Sequence, residues 1–308
     1  MDKEPSKEFS FIVDVARVVR TAVLQLRNAT LNRNISGIAF SGDSTFGIDR
    51  HAEDVLLEHL NKLEKPLAYF SEDRGLVKLC DTPKWLLIVD PIDGTRPLLS
   101  GFEMGVVSIA LCPFSEGASF KDIGASVVFR IPVEEYVYAE KGKGVQVNAF
   151  GVTEENLSSE PDIEKMFWSF DVVGRPVSRV VHYLDDLIDS SGMQAGAFLF
   201  HNAAFSLLKI VVGHFDAYVE VGGRLLREHP ESESEFLQIG QGRVMGTFPY
   251  DIAAAYLIMQ EAGAVITDAF GESLADVRLI NSGKQAIMSC VAASNSVLHK
   301  KILTKVKW

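Results

Sequence analysis

The hydrophobic positions near the start of the chain recur at helical spacing. Apolar residues between Ile12 and Leu26 repeat every three or four positions, which predicts an amphipathic helix over residues 8–28. The same spacing returns over residues 51–63 and predicts a second helix, after a loop rich in Asn, Ser and Gly that ends at Gly47. We therefore expect two helices to precede the first strand.

Continuous apolar runs follow these helices and predict a sheet. The run from Trp85 to Val89 contains no charged residue, which is typical of a strand covered on both faces, and it stops at Asp90. A shorter run precedes it at residues 67–70. Three further segments predict consecutive strands, at residues 105–111, 123–129 and 135–140.

The order of predicted elements changes after about residue 150, where short strands and helices alternate. Strands are predicted at residues 167–170, 197–200, 215–221, 265–267 and 288–292, and helices at 178–188, 203–212, 251–262 and 295–305. Residues 222–250 form a long connection of mixed charge. Strands first and alternation afterwards predict an α+β fold with two layered subdomains, residues 1–150 and 151–308.

Composition and charge disfavour several classes of protein. The net charge is −11, with 41 acidic against 30 basic residues, which disfavours binding to nucleic acids and to anionic membranes. The three cysteines are widely separated, so neither a disulfide framework nor a cysteine zinc site is expected. The sequence offers no apolar stretch typical of a membrane span and no pattern typical of a secretory signal, which predicts a soluble cytoplasmic protein.

Candidate chemistry lies at the end of the buried run. A strand there would deliver Asp90 to its carboxyl end, and Asp93 would return a second carboxylate within one turn. Two carboxylates and the Ile92 carbonyl offer the oxygen ligands that Mg²⁺ prefers, and Gly94 permits close approach of a phosphate. A plain turn after the strand, with Thr95 as a helix cap, explains the same segment equally well.

The most informative segment of the chain is Asp90-Pro91-Ile92-Asp93-Gly94-Thr95. It resembles the signature of the inositol monophosphatase-like phosphatases, which are Mg²⁺-dependent and sensitive to lithium. Three other segments match that family in the expected order: Ser71-Glu72-Asp73, Asp216-Ala217-Tyr218-Val219-Glu220, and Tyr250-Asp251-Ile252-Ala253-Ala254 followed by Glu261-Ala262-Gly263. The resemblance covers residues 8–305 and implies a layered αβαβα architecture.

The resemblance implies a metal site built from acidic residues. The first ion would be bound by Glu72, Asp90 and the Ile92 carbonyl, and the second by Asp90, Asp93 and Asp251. Glu72 would also serve a weaker third ion, so two or three Mg²⁺ ions are expected. Without cations, an acidic cluster of this size would repel itself.

The resemblance also implies roles for residues around the metal site. Asp49 and Thr95 correspond to the pair that activates the attacking water, and Gly94 and Thr95 correspond to the phosphate-binding turn. On the substrate side, Glu220 corresponds to an acid that accepts hydrogen bonds from a substrate hydroxyl. Asn202 lies in the segment that corresponds to the sugar-binding stretch.

Each acid has a simpler structural explanation when it is taken alone. Asp251 and Asp49 could be caps of helices, Glu72 with Asp73 could form a solvated turn, and Glu220 could be a surface acid at a strand end. Together, four separated acids in the expected order around one specific hexapeptide favour the metal site.

The substrate side departs from the family pattern. Pro97-Leu98 stands where Asn-Phe is usual, Phe46 stands where Thr is usual, and His201-Asn202-Ala203-Ala204 replaces Gly-Ser/Thr-Ala-Ala. His201 is therefore either a substrate contact or a core histidine. Three arginines of the 222–250 connection either reach a second phosphate of the substrate or are solvated, and the second explanation is favoured: Arg224, Arg227 and Arg243.

These observations predict a Mg²⁺-dependent enzyme that hydrolyses a phosphate monoester of a small polyol or sugar. Two substrate alternatives remain within the enzyme class, fructose 1,6-bisphosphate and a 3′(2′),5′-bisphosphate nucleotide. From another class, the chain could be a catalytically weak, metal-binding relative with a regulatory or interaction role. The expected assembly is a homodimer that binds a small-molecule phosphate ester and neither nucleic acid nor membrane.

Overall fold

The computed structural model describes residues 6–29, 34–40 and 44–308. Both helices predicted near the start of the chain are confirmed, as α1 (Lys7–Ala29) and α2 (Gly47–Lys62). Residues 30–33 and 41–43, which belong to the loop predicted between them, lie outside the described residues.

The described part of that loop forms a short antiparallel hairpin instead. Its strands are β1 (Ile35–Ile38) and β2 (Ser44–Phe46). The sequence did not predict the hairpin because three of the four β1 residues are exposed, so no alternation of buried and exposed positions marks the strand.

A seven-stranded sheet follows the helices. Its strands in chain order are β3 (Leu67–Ser71), β4 (Gly75–Lys78), β5 (Trp85–Asp93), β6 (Val106–Pro113), β7 (Ala125–Arg130), β8 (Tyr136–Glu140) and β9 (Gly144–Asn148). The order across the sheet is β4-β3-β5-β6-β7-β8-β9, with β3 parallel to β5 and the other neighbours antiparallel. The five predicted strands are confirmed, whereas the half-exposed edge strands β4 and β9 escaped prediction.

A short helix, α3 (Thr95–Leu99), begins directly after β5. The pairing of β5 with β6 shifts register between Asp90 and Asp93, so the strand is irregular at the position of its two carboxylates.

The second half of the chain builds a five-stranded sheet. Its strands are β10 (Phe167–Phe170), β11 (Gly196–Phe198), β12 (Ala217–Glu220), β13 (Val265–Thr267) and β14 (Cys290–Ala293), in the order β11-β10-β12-β14-β13. The predicted helices of this half are α4 (Val177–Ser191), α5 (Ala203–Val211), α8 (Pro249–Glu261) and α9 (Ser296–Lys305).

The 222–250 connection is largely helical and not an open loop. It contains α6 (Gly222–Glu228) and α7 (Glu233–Ile239), which bury Leu225 and Phe236 in the core. These two short helices were not predicted, because charged residues and glycines are frequent in this segment.

The elements stack in five layers, which confirms the α+β αβαβα architecture. Helices α1 and α2 cover one face of the seven-stranded sheet through an apolar cluster that includes Ile12, Val19 and Leu56. Helices α5 and α8 contact both sheets, and α9 and α4 pack beyond the five-stranded sheet. Helix α8 is buried on nearly every side, as expected of a helix between two sheets. Within the described residues, no helix is long and apolar enough to cross a membrane.

Candidate active site

Strand β5 brings two acidic side chains into the wall of one cavity. The strand is buried from Leu86 onward because sheet neighbours and helices cover both faces, and Asp90 and Asp93 are only 4% and 8% exposed. The backbone N–H of Ile92 donates a hydrogen bond of 3.0 Å to Oδ1 of Asp90 and fixes this carboxylate.

Gly94 makes the turn between β5 and α3. Its φ of 90° lies in the left-handed region, and a Cβ at this position would collide with Nδ2 of Asn202. The close approach explains why glycine follows Asp93, and it places Thr95 at the first position of α3, in the cavity wall.

Thr95 and Asp49 are in direct contact. The Thr95 hydroxyl lies 2.7 Å from Oδ1 of Asp49 and 3.0 Å from the Ile92 carbonyl oxygen. The other carboxylate oxygen of Asp49, Oδ2, accepts the N–H of Phe46 at 2.8 Å. Asp49 therefore caps α2, as its simpler explanation had it, and also contacts Thr95.

Asp251 likewise caps a helix and lines the cavity. It lies in the first turn of α8, where its Oδ2 accepts the Phe248 N–H at 2.6 Å, and it lines the same cavity as Glu72 and Asp93. Glu72 follows β3, whose neighbour in the sheet is β5, so the parallel pairing brings the two strand ends together.

Burial and neighbouring negative charges raise the pKa values of two carboxylates in the cavity. Burial, reinforced by the charges of Asp93, Glu72 and Asp251, raises the pKa of Asp90 well above its usual range. Burial and the charge of Asp251 raise the pKa of Asp93 as well, although the N–H of Ala204 opposes the shift by donating to Asp93 Oδ2 at 2.6 Å. Positive charge placed between these groups would relieve the repulsion.

The donor set suits a hard cation. In the part of the chain that the structure describes, no three His, Cys, Asp or Glu side chains are arranged so that they could hold a metal ion by themselves. Mg²⁺ does not require such an arrangement, because it usually takes one or two carboxylates and completes its octahedron with water and substrate phosphate. Four acids that line this cavity offer oxygen ligands, so the residues present fit a metal-ion site: Glu72, Asp90, Asp93 and Asp251. The other two acids of the lining contact side chains instead, Asp49 contacting Thr95 and Asp171 contacting His201.

Glu220 is placed differently from the expectation. It is fully buried behind the cavity wall, and its carboxylate binds the guanidinium of Arg175, with Nε 3.1 Å from Oε1. Thr247 also donates to it, at 3.3 Å. The hydrogen bond from Glu220 to a substrate hydroxyl therefore stays a prediction, and the partners that the structure gives this acid are Arg175 and Thr247.

Asn202 lies in the cavity wall, but its side-chain amide already makes hydrogen bonds within the protein. Nδ2 donates to the carbonyl oxygens of Asp93 and Met104 at 2.8 and 2.7 Å, and Oδ1 accepts the N–H of Phe205 at 2.8 Å as the cap of α5. The side chain therefore holds the Asp93 loop against α5. This geometry leaves little hydrogen-bonding capacity for the predicted substrate contact.

The sequence analysis missed several cavity-lining residues, among them Arg96, Asp171 and Arg175. Asp171 follows β10 and contacts His201, and Arg175 binds Glu220. The only available signal was that Asp171 follows an apolar run, as Asp90 does.

The arginines of the 222–250 connection do not form the substrate side. Arg224 stacks on Trp308 at 3.8 Å and pairs with Glu228 at 3.0 Å. The arginines among the described cavity residues are Arg96 and Arg175. The connection reaches the cavity instead near its end, through residues 245–247 and Tyr250.

The layered fold and the acidic, threonine-bearing cavity define a class of metal-dependent hydrolase, and comparisons with known proteins agree. The model of the inositol monophosphatase family matches residues 5–307. The chain is 29% identical to an inositol-1-monophosphatase of Caulobacter vibrioides, covering 87% of this chain and 88% of the relative. It is 26% identical to a fructose-1,6-bisphosphatase/inositol-1-monophosphatase of Archaeoglobus fulgidus, covering 96% of each.

Solved structures show the same fold. The extragenic suppressor protein suhB of Bartonella henselae superposes with a TM-score of 0.72 at 22% identity, covering 98% of this chain and 99% of the other. The chain belongs to the inositol monophosphatase family, whose members are phosphatases that hydrolyse phosphate monoesters. Metal-dependent catalysis is general to that family, and the prediction of an enzyme of this class is confirmed.

Proposed function

We propose that this protein hydrolyses the phosphate monoester of a small polyol or sugar with Mg²⁺ as cofactor. The observation that carries the proposal is the contact of Thr95 with Asp49, 2.7 Å long, in the cavity that also contains the buried carboxylates of Asp90 and Asp93. A water-activating pair beside a cation-binding acidic cluster is what the hydrolysis of a phosphate monoester requires.

The proposed ligands of two or three Mg²⁺ ions are Glu72, Asp90, the Ile92 carbonyl, Asp93 and Asp251. When bound, the cations would lower the pKa of an attacking water and offset the charge of the phosphate. Burial keeps the carboxylates fixed and away from bulk water, which strengthens their attraction for the ions.

The chain's own residues move the proton and hold the phosphate. Thr95 donates its hydroxyl hydrogen toward Asp49 and keeps lone pairs that accept a proton from water, so Asp49 acts as the general base through Thr95. The backbone N–H groups at Gly94 and Thr95, where α3 begins, are proposed to bind a phosphate oxygen.

The first experiment measures phosphate release from inositol 1-phosphate and from 4-nitrophenyl phosphate, with Mg²⁺ and after treatment with a chelator. We expect hydrolysis of both esters, loss of activity with the chelator and recovery on adding Mg²⁺. Asp93→Asn, purified in parallel, controls for a contaminating phosphatase. Absence of Mg²⁺-dependent release from either ester would contradict the proposal.

A bisphosphate substrate is the second candidate, because Arg96 lines the cavity and Arg175, the other arginine of the lining, is already paired with Glu220. Arg96 could attract a second phosphate of fructose 1,6-bisphosphate or of a 3′(2′),5′-bisphosphate nucleotide. The name of the Archaeoglobus fulgidus relative includes the first of these activities. The panel of esters is therefore extended to both bisphosphates, and the highest kcat/KM identifies the substrate class.

We further propose that the protein acts in the cytoplasm as a homodimer and binds neither nucleic acid nor membrane. The net charge of −11 disfavours binding to nucleic acid and to anionic membranes. Sedimentation velocity tests the assembly, and a single species with the mass of one chain would contradict it. A regulatory relative without catalysis, the alternative of another class, would bind Mg²⁺ and hydrolyse none of the esters.

A further inference from the structure

His201 has a backbone conformation that is uncommon outside glycine. Its φ of 53° lies in the left-handed region, which non-glycine residues seldom adopt, and it directly precedes Asn202, the cap of α5. Glycine would adopt this conformation without strain, and a glycine is usual at the corresponding place in the sequence pattern noted above. Strained residues of this kind cluster at functional sites, so the backbone of His201 indicates that its side chain has a function.

The imidazole ring is anchored at one nitrogen. Nδ1 of His201 lies 3.1 Å from Oδ1 of Asp171, and the hydroxyl of Tyr218 donates to the other oxygen of Asp171 at 3.3 Å. Because a carboxylate is the partner of Nδ1, this nitrogen is the donor. Tyr218 and Asp171 thus fix both the orientation and the tautomer of the ring.

The other ring nitrogen remains available. Nε2 of His201 has no hydrogen-bond partner among the described residues, 32% of the side chain is exposed, and the residue lines the active-site cavity. A protonated imidazole donates from both nitrogens, so the ring can bind Asp171 through Nδ1 and present a second N–H to the cavity.

His201 is connected to the carboxylate loop through the residues that follow it. The residue that follows it, Asn202, holds the Asp93 carbonyl at 2.8 Å, and the Ala204 N–H binds the Asp93 side chain. Asp49 belongs to α2, a different element. One cavity therefore contains a proton acceptor and a proton donor on separate elements.

We propose that the protonated imidazole of His201, positioned by Asp171, donates the Nε2 proton to the leaving oxygen of the substrate. As the P–O bond breaks, its electron pair stays on the leaving oxygen and the proton from Nε2 completes the alcohol, leaving a neutral ring. The attacking water adds its oxygen to phosphorus and yields a proton to Asp49. Exchange with solvent then returns a proton to His201 and removes one from Asp49.

This inference rests on the proposed function and narrows its substrate class. An alkoxide is a strong base and leaves slowly unless it is protonated, whereas 4-nitrophenolate leaves as a stable anion. A dedicated proton donor is therefore useful for alkyl phosphates, such as those of polyols and sugars, and adds little for aryl phosphates.

The test compares leaving groups in two variants. His201→Asn tolerates the left-handed backbone and keeps an N–H toward Asp171, but it lacks the far nitrogen; His201→Gln offers a neutral N–H that cannot transfer its proton. We expect each variant to lose about 10²-fold or more in kcat for glycerol 2-phosphate and inositol 1-phosphate, and less than about tenfold for 4-nitrophenyl phosphate. Asp171→Asn should show the same selectivity with a smaller loss.

His182→Asn serves as the control, because His182 is an exposed histidine of α4 that lies outside the cavity. Equal losses for alkyl and aryl esters, or full rescue of alkyl turnover by His201→Gln, would overturn proton donation and leave a binding contact or a structural role. Melting temperatures check that the variants are folded. The wild-type enzyme tests the proposed function separately, because inactivity on both ester types refutes that function and not the role of His201 alone.

Discussion

The Thr95 hydroxyl lies 2.7 Å from Oδ1 of Asp49, although 46 positions separate the two residues in the chain. Asp49 also accepts the Phe46 N–H through its second oxygen, so the carboxylate is held from two sides. A carboxylate held in this way cannot rotate away from Thr95 without losing a helix cap. This fixed geometry supports the proposal that Asp49 takes a proton through the threonine hydroxyl.

Thr95→Ala and Asp49→Asn should each lower turnover by about 10²–10⁴-fold, the usual contribution of a positioned general base. The double variant should be scarcely slower than either single variant, because two residues that act as one unit are not additive. Steady-state kinetics with saturating Mg²⁺ measure the three rates.

The Asp49→Asn variant also separates catalysis from helix capping. Its amide oxygen can still accept the Phe46 N–H, so we expect the melting temperature to change little. A clear melting shift with no loss of rate would assign Asp49 to the cap alone, which is worth about 0.5–2 kcal/mol. Rate losses that multiply in the double variant would reject the coupled pair.

Asp93→Asn should abolish Mg²⁺-dependent hydrolysis, because the amide has a similar shape and lacks the charge that attracts a cation. In the presence of a chelator the variant should unfold at a higher temperature than wild type above about pH 5, because burial and Asp251 raise the pKa of Asp93 and so make its ionised form costly in the fold. Added Mg²⁺ should raise the melting temperature of wild type more than that of the variant. Equal stabilisation of both proteins by Mg²⁺ would contradict the assignment of Asp93 as a ligand.

The buried pair of Arg175 and Glu220 supports a prediction about stability. Arg175→Met leaves the carboxylate of Glu220 buried without its cation, and this should lower the free energy of unfolding by about 3–5 kcal/mol. Adding Glu220→Gln removes the unpaired charge and should restore much of the loss. Urea denaturation measures all three proteins, and additive losses in the double variant would show that the two side chains do not form a coupled pair.

Glu53 should make stability depend on pH. It is 2% exposed on α2, and burial raises its pKa to about 7 from an ordinary value of 4.5, while Arg74, whose Nε lies 3.5 Å away, opposes the shift. A raised carboxyl pKa in the fold means that the stability present at low pH is lost as pH rises from about 4.5 to about 7. The shift corresponds to a loss of about 3 kcal/mol.

Glu53→Gln cannot ionise and should escape this loss. The difference in unfolding free energy between variant and wild type should be small near pH 4.5 and should grow in favour of the variant up to about pH 8. Glu58→Gln, which changes an exposed acid on the same helix, is the matched control. Parallel pH profiles for wild type and Glu53→Gln would show that Glu53 is ionised in the fold without cost.

The sequence by itself determined the α+β class, the main elements and the order of the acids. Periodicity and apolar runs are local properties, so they predicted α1, α2, β5 and α8. The hexapeptide ending at Thr95 placed two carboxylates and a hydroxyl within six positions, close enough for their proximity to follow from chain geometry.

Only the tertiary structure decided which buried charges became partners. Arg175 reaches Glu220 across 45 positions, and His201 reaches Asp171 across 30, because β10, β12 and α5 meet at one end of the five-stranded sheet. The hydrogen bonds of a buried polar group depend on the groups that packing brings next to it, and a charged residue in a sequence does not specify its neighbour. For this reason Glu220, predicted to bind substrate, binds an arginine, and His201 has one nitrogen anchored and the other available to the cavity.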